Sequence, residues 1–259
     1  MKPIFASLLA ASLGLSLVAA PIAAPAEETL DKAAIEKIVH DYIVANPEVV
    51  AEALQALEKK QADAQAAEQK ALIKRSGGLL FDSSRQVVLG NPKGDVTLVE
   101  FFDYNCGYCK RALPDMLSLL DKDPNLRIVL KEFPVLGPGS TEAAKVAVAV
   151  NRVAPDKYLA FHKALLGIRG QADKAKALDA VASVGIPASA VERAMVDREV
   201  DATIEEVYGL AGALGLSGTP SYVIGEEVVP GAIGLSKLQS RIAEARCTVT
   251  KKCCGARAG

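Results

Sequence analysis

Tryptophan is absent from this chain of 259 residues, aromatic residues make up only 5% of it, and histidine occurs twice, as His40 and His162. Two imidazoles so far apart in sequence exclude a histidine-rich metal site as the starting reading. Neither sign of charge is in excess, with 30 Lys+Arg against 31 Asp+Glu. That balance supplies no field to draw in nucleic acid or an anionic membrane surface, so neither is expected as a partner. Long apolar runs are scarce as well. One lies at the start, from Ile4 to Val18. No later stretch approaches the roughly 18 uninterrupted apolar residues of a membrane span, and a soluble mature protein is expected.

Half of the residues are hydrophobic, enough for a sizeable core. The length exceeds a usual single domain, which predicts a main domain with an appendage. Residues 1–26 read as a secretory signal peptide: Lys2, the apolar run, then Ala24-Pro25-Ala26 before Glu27. An uncleaved N-terminal anchor is the alternative. Export would place the cysteines in an oxidising compartment.

Residues 27–75 read as a helical arm. Ile35, Ile38, Val39, Tyr42 and Ile43 recur at helical spacing. Asn46-Pro47 reads as an N-cap and first-turn proline opening a second helix with Val50, Leu54 and Leu57 on one stripe. From Glu58 to Lys70 the composition turns to Ala, Gln and Lys, which cannot bury itself as an isolated helix. The apolar stripe needs a partner, either the protein's own main domain or the same arm of another subunit. Ser76-Gly77-Gly78 then reads as a hinge.

Residues 76–246 follow as the main domain. A short extended stretch at Gln86–Leu89 and a turn at Asn91-Pro92-Lys93-Gly94 precede a buried strand, Val96–Phe102. A helix from Gly107 to Asp121 and a strand from Arg127 to Phe133 complete a βαβ unit. Helical segments fill an insertion over about residues 140–215. Ser221–Ile224 and Glu227–Val229 form a hairpin pattern around Gly225-Glu226, and a last helix covers Ser236–Ala245. Residues 247–259 are a cysteine-bearing tail.

Cys106-Gly107-Tyr108-Cys109 sits at the strand-to-helix junction of the βαβ unit. Zinc would need a second pair of ligands, and the other cysteines lie more than 130 residues on. A redox dithiol fits better. At the first helical turn, free backbone N–H groups and the helix dipole favour an anionic sulfur by up to about 2 kcal/mol, making Cys106 the nucleophile. Cys109, one turn deeper, is placed to attack the resulting mixed disulfide. The intervening Gly-Tyr adds no positive charge.

The segment Glu100–Cys109 (EFFDYNCGYC) resembles the thioredoxin-fold disulfide proteins of the bacterial periplasm, the Dsb group. The resemblance covers about Val87 to Ala245 and implies an α/β thioredoxin fold with an inserted helical domain, as in DsbA, preceded here by the arm. It implies that Glu100, six positions before Cys106, lies buried beneath the pair and relays protons to Cys109. Burial would also raise its pKa; a solvent-facing residue at the strand edge is the alternative. Pro114 matches the proline of the helix that follows. Thr219-Pro220 matches the cis-proline facing the cysteines, with the Thr219 backbone pairing to a substrate chain. Lys131-Glu132-Phe133-Pro134 resembles the strand-end motif in which a basic residue approaches the buried acid, making Lys131 a candidate partner of Glu100.

CGYC with Thr-Pro is similar to the disulfide isomerase DsbC, while the insertion and the arm look more like ScsC, the suppressor-of-copper-sensitivity proteins. These resemblances imply a periplasmic disulfide isomerase, homo-oligomeric and most simply trimeric. It would act on misfolded or incompletely oxidised exported proteins and be kept reduced by a membrane thiol reductase of DsbD type. A monomeric dithiol oxidase is the alternative. No cofactor beyond the redox-active disulfide is implied, although soft thiolates at Cys106 and Cys109 also suit Cu(I). In the tail, Cys247 pairing with Cys253 or Cys254 is one reading and extra sulfurs for copper another; neighbouring Cys253 and Cys254 are poorly placed to bridge each other.

Overall fold

A computed structural model describes residues 31–250. The signal-peptide reading and the tail cysteines Cys253 and Cys254 lie outside the described residues. The chain divides into two compact units, one ending at Glu58 and the other running from Lys59 onward.

The first unit holds α1 (Lys32–Ala45) and the start of α2 (Glu48–Arg75). No residue of α1 is buried, and Ile38, Val39, Tyr42 and Leu54 are at least half exposed. Asn46 does not cap α2 with its side chain as the sequence suggests. Its Nδ2 donates back to the Tyr42 carbonyl at 2.8 Å, closing α1 instead, while its backbone carbonyl accepts from Val49 N at 3.2 Å. The last carbonyls of α1 and the first N–H groups of α2 compete for one residue, and the side chain serves α1.

The second unit is built on a five-stranded sheet in the order β1-β3-β2-β4-β5. The strands are β1 (Val87–Gly90), β2 (Val96–Phe102), β3 (Leu126–Glu132), β4 (Ser221–Ile224) and β5 (Glu227–Pro230). β2 and β3 are parallel and joined through α4 (Gly107–Lys122), the βαβ unit that the sequence predicts. Between β3 and β4 come α5 (Pro138–Val153), α6 (Tyr158–Leu166), α7 (Lys174–Ser183), α8 (Ala188–Met195) and α9 (Arg198–Ala213); α10 (Leu235–Thr250) closes the described chain.

β2 is buried along almost its whole length, so alternation divides its side chains between two faces rather than between core and solvent. Leu98 and Phe102 join Ile128, Leu130, Tyr222 and Ile224 in the larger core, against Met116 and Leu119 of α4 and Ile242 of α10. Val99, Phe101, Val129 and Val223 pack on the other face against Leu210 and Leu214. Ile73, from the last turn of α2, and Leu80 join that second cluster. Ser76-Gly77-Gly78 is accordingly not the expected hinge. Gly77–Phe81 is a short helix, α3, held between two buried anchors, Ile73 and Leu80. The apolar spacing of Leu72, Ile73, Leu79, Leu80 and Phe81 outweighs the glycines.

Candidate active site

Cys106 is the N-cap of α4, directly after β2, and its sulfur accepts from Cys109 N at 3.4 Å. This is the anion-favouring end of a helix. Both cysteines are thiols and both are buried, Cys109 the more deeply at 1% exposure. The Cys106 S–H donates to the Thr219 carbonyl at 3.1 Å, across 113 residues of chain. The Thr219–Pro220 bond is cis, and Pro220 O accepts from Gly231 N at 2.8 Å. Pro114 stands inside α4, where it has no N–H to offer the carbonyl four residues back. Tyr108 is exposed, with the Arg111 guanidinium 4.3 Å above its ring, and Gly107 occupies the first helical position.

Glu100 lies on the α4 face of the sheet, opposite Leu130 on β3 and Tyr222 on β4. It is buried rather than at a solvent edge, and desolvation raises its carboxyl pKa to about 8. The Cys109 thiol is pushed up far above the ordinary thiol range, first by burial, with the charges of Cys106 and Glu100 adding to it. Both groups resist ionisation for the same physical reason, burial without a compensating positive charge.

Lys131 is not the partner of Glu100. It pairs with Phe101 across the parallel ladder and therefore points to the opposite face. There its Nζ donates to the Leu79 carbonyl at 2.8 Å, and burial lowers its pKa to about 8, opposed by the charge of Glu206. The strand-end resemblance places a lysine in the right strand, but one residue of parity separates the two faces.

Sequence reasoning missed the segment that carries Cys106 into place. Asp103 is buried and accepts from Asn105 N at 2.7 Å, Ser140 Oγ at 2.8 Å and Leu136 N at 2.9 Å. Asn105 reaches the insertion on both sides of its amide, donating to Ala172 O at 2.9 Å and accepting from Ala172 N at 2.6 Å. Behind it, Glu132 Oε1 accepts from Tyr158 Oη at 2.7 Å and Tyr104 Oη at 3.3 Å, and His162 Nδ1 lies 3.2 Å from Tyr104 Oη. Burial raises the Glu132 carboxyl well above its ordinary range, against the two hydroxyls that donate to it, and lowers His162 to about 3, so the imidazole is neutral near pH 7. Leaving one of the network's buried hydroxyls unpaired would cost about 1–3 kcal/mol. The signal in the sequence was a run of polar residues, Asp103-Tyr104-Asn105, between a buried strand and the reactive pair.

Cys247 belongs to α10, and its expected tail partners are not among the described residues. Among the described residues no cluster of three or more His, Cys, Asp or Glu is arranged to hold a metal ion, and no helix is long and apolar enough to cross a membrane.

With this geometry in hand, known proteins place the chain. The DSBA-like thioredoxin domain family matches residues 97–243, and the copper resistance protein ScsC N-terminal domain matches residues 31–64. A thioredoxin-like oxidoreductase from Silicibacter pomeroyi DSS-3 is 45% identical, covering 65% of this chain and 96% of its own, with a TM-score of 0.63. ScsC of Proteus mirabilis in a compact conformation is 28% identical over 84% of this chain and 99% of its own, with a TM-score of 0.65. The thiol-disulfide exchange protein α-DsbA2 of Wolbachia pipientis is 31% identical over 70% of this chain and 97% of its own, with a TM-score of 0.66. Among curated proteins, the Na⁺/H⁺ antiporter NhaA 1 of Salinispora arenicola is 26% identical over 183 residues, 68% of this chain. The chain spans only 28% of the length of the curated relatives it matches. The protein is a member of the DsbA-like thioredoxin domain family, with an ScsC-type N-terminal segment and the fold of a thiol–disulfide oxidoreductase.

Proposed function

We propose that this protein is a periplasmic disulfide isomerase and reductase acting on misfolded or incompletely oxidised exported proteins. The observation that carries this reading is the Cys106 sulfur at the start of α4, 3.1 Å from the carbonyl of the cis Thr219–Pro220 bond. The Cys106 sulfur attacks a substrate disulfide, forming one S–S bond and releasing one substrate thiolate. Isomerisation follows when a different substrate thiolate attacks that mixed disulfide and expels Cys106, leaving no net redox change. Reduction follows instead when Cys109 gives its proton to the Glu100 carboxylate and attacks. That step forms the Cys106–Cys109 disulfide and releases the second substrate thiolate, and a membrane thiol reductase of DsbD type then restores the dithiol.

Assembly through the arm, as a trimer, supports the isomerase over the oxidase by screening the catalytic face from oxidising partners. It is supported by α1, which buries none of its apolar residues within the chain. Reduced protein is expected to restore activity to scrambled ribonuclease. Light scattering is expected to give a trimer that Ile38→Asp/Tyr42→Asp converts to a monomer with little isomerase activity. A monomeric wild type that oxidises reduced ribonuclease quickly, without rescuing the scrambled enzyme, would establish the dithiol oxidase instead. Truncation is the poorer test, because a cut near Gly77 removes the buried Ile73.

The match of residues 31–64 to the copper resistance protein ScsC favours Cu(I) capture as a second reading, with Cys106 and Cys109 as soft sulfur ligands. Undiminished Cu(I) binding by a Cys106→Ser/Cys109→Ser protein would remove them as the ligands.

A further inference from the structure

Beside the reactive pair lies an open groove of about 650 Å³. One side is the expected one for a thiol-exchange site: Tyr108, Thr219 and Pro220, with Leu216, Val228 and Pro230 continuing it. The other side lies outside residues 97–243, the stretch that matches the thioredoxin domain. It is α2, which contributes Ala62, Gln65, Ala66 and Gln69.

Those four positions follow the i, i+3, i+4, i+7 pattern and so form one stripe of the helix. The stretch is rich in charge, yet the stripe has none. Lys59 and Asp63 pair with each other at 2.6 Å, and Lys70 bonds Glu226 in the β4–β5 turn at 2.5 Å. Three residues beyond Lys70, Ile73 is buried in the core with Val99 and Phe101. The lower half of α2 is therefore anchored at two points along the groove. No residue lining the groove, on either side, carries a charge.

We propose that this stripe of α2 is a second wall of the substrate site, holding an extended segment of a non-native polypeptide beside Cys106. The proposal rests on the thiol-exchange reading above. Alanine at 62 and 66 leaves room for a main chain. The Gln65 and Gln69 carboxamides each offer two donors and one acceptor oxygen, which match the N–H and C=O groups of any sequence. Leu216, Val228 and Pro230 supply apolar surface for side chains that a native protein buries. The groove falls within the usual range for small-ligand pockets, roughly 300–1,000 Å³. A folded partner would typically bury about 800 Å² on each side, more than such a groove offers, so a single extended chain is the better occupant. Selection is thus for unfolded chain rather than for sequence.

The test uses the full-length protein and a fluorescein-labelled, unstructured apolar peptide of about eight residues with serine in place of cysteine. Binding is followed by anisotropy and therefore does not depend on thiol exchange. Ala66→Trp, which fills the groove, is expected to raise Kd about tenfold, and Gln65→Ala/Gln69→Ala several-fold. Ala64→Trp, on the opposite side of the helix, is expected to bind as wild type does. Exchange with glutathione disulfide is measured in parallel on the wild type. Equal Kd values for Ala66→Trp and wild type would overturn the proposal, as would wild-type protein that exchanges thiols but does not bind the peptide. Peptide binding without exchange would retain the groove and refute the thiol-exchange reading. Loss of bound peptide as protein concentration rises would assign the groove to a second copy of the chain and overturn the proposal.

Discussion

Cys109→Ser is expected to turn the protein into a trap. Reduction of a disulfide peptide should fall by at least about 100-fold, while a covalent adduct on Cys106 accumulates and can be seen by mass spectrometry. The reason is geometric. Cys109 N lies 3.4 Å from the Cys106 sulfur, so the resolving thiol sits one helical turn from the bond it must break. Intramolecular attack from such a position has an effective concentration far above any external thiol. Serine keeps the backbone contact but lacks a sulfur to displace the substrate. Burial of position 109 also bars bulky external thiols from that side. Cys106→Ser should instead abolish adduct formation altogether. Equal adduct yields from the two variants would refute the assignment of Cys106 as nucleophile and Cys109 as resolver.

Glu100→Gln should do two opposite things at once. Turnover at pH 8 and above, where the wild-type carboxyl has lost its proton, should drop about 10–100-fold, because the buried proton acceptor for Cys109 is gone. Stability at the same pH should rise. In the unfolded chain the carboxyl ionises near its ordinary value of 4.5, while in the folded reduced protein it holds its proton until about pH 8. Between those values the folded state binds more protons than the unfolded state, so wild-type stability declines as pH rises through the window and levels off above it. At pH 7 the deficit is about 3 kcal/mol on a scale of about 1.4 kcal/mol per pH unit. The glutamine variant escapes that decline, and near pH 4.5 the two proteins should converge. Urea denaturation of both reduced proteins at pH 5 and pH 7.5 measures this directly. Parallel stability across the range would mean that Glu100 is not held neutral by burial.

Local pattern made much of this legible in the sequence. A charged residue inside an otherwise apolar strand marked Glu100, and Cys106 and Cys109 declared themselves by spacing. The limits of β2 match the apolar run Val96–Phe102 at both ends, because that strand is buried on both faces and polar residues flank it. What escaped depends on register and distance. Whether Lys131 meets Glu100 is decided by the parity of the β2–β3 ladder, which no composition reveals. Glu132 meets Tyr158, and Tyr104 meets His162, only because α6 folds over the end of β3, and Asp103 meets Ser140 across 37 residues. The glycines after Arg75 suggested freedom where Ile73 and Leu80 impose contact.

If the protein exchanges thiols with polypeptides as proposed above, the contact between the Cys106 S–H and the Thr219 carbonyl governs how long a client stays attached. In the dithiol state the main-chain acceptor best placed for an incoming chain is occupied by the enzyme's own nucleophile. Once that sulfur is bonded to a client, its proton has left and the carbonyl is free to take an amide from the same client. The grip therefore tightens when the covalent intermediate forms and loosens when Cys106 is released as a thiol. On that reading attachment and discharge are both set by the bonding of one sulfur, and release needs no separate motion to eject the chain.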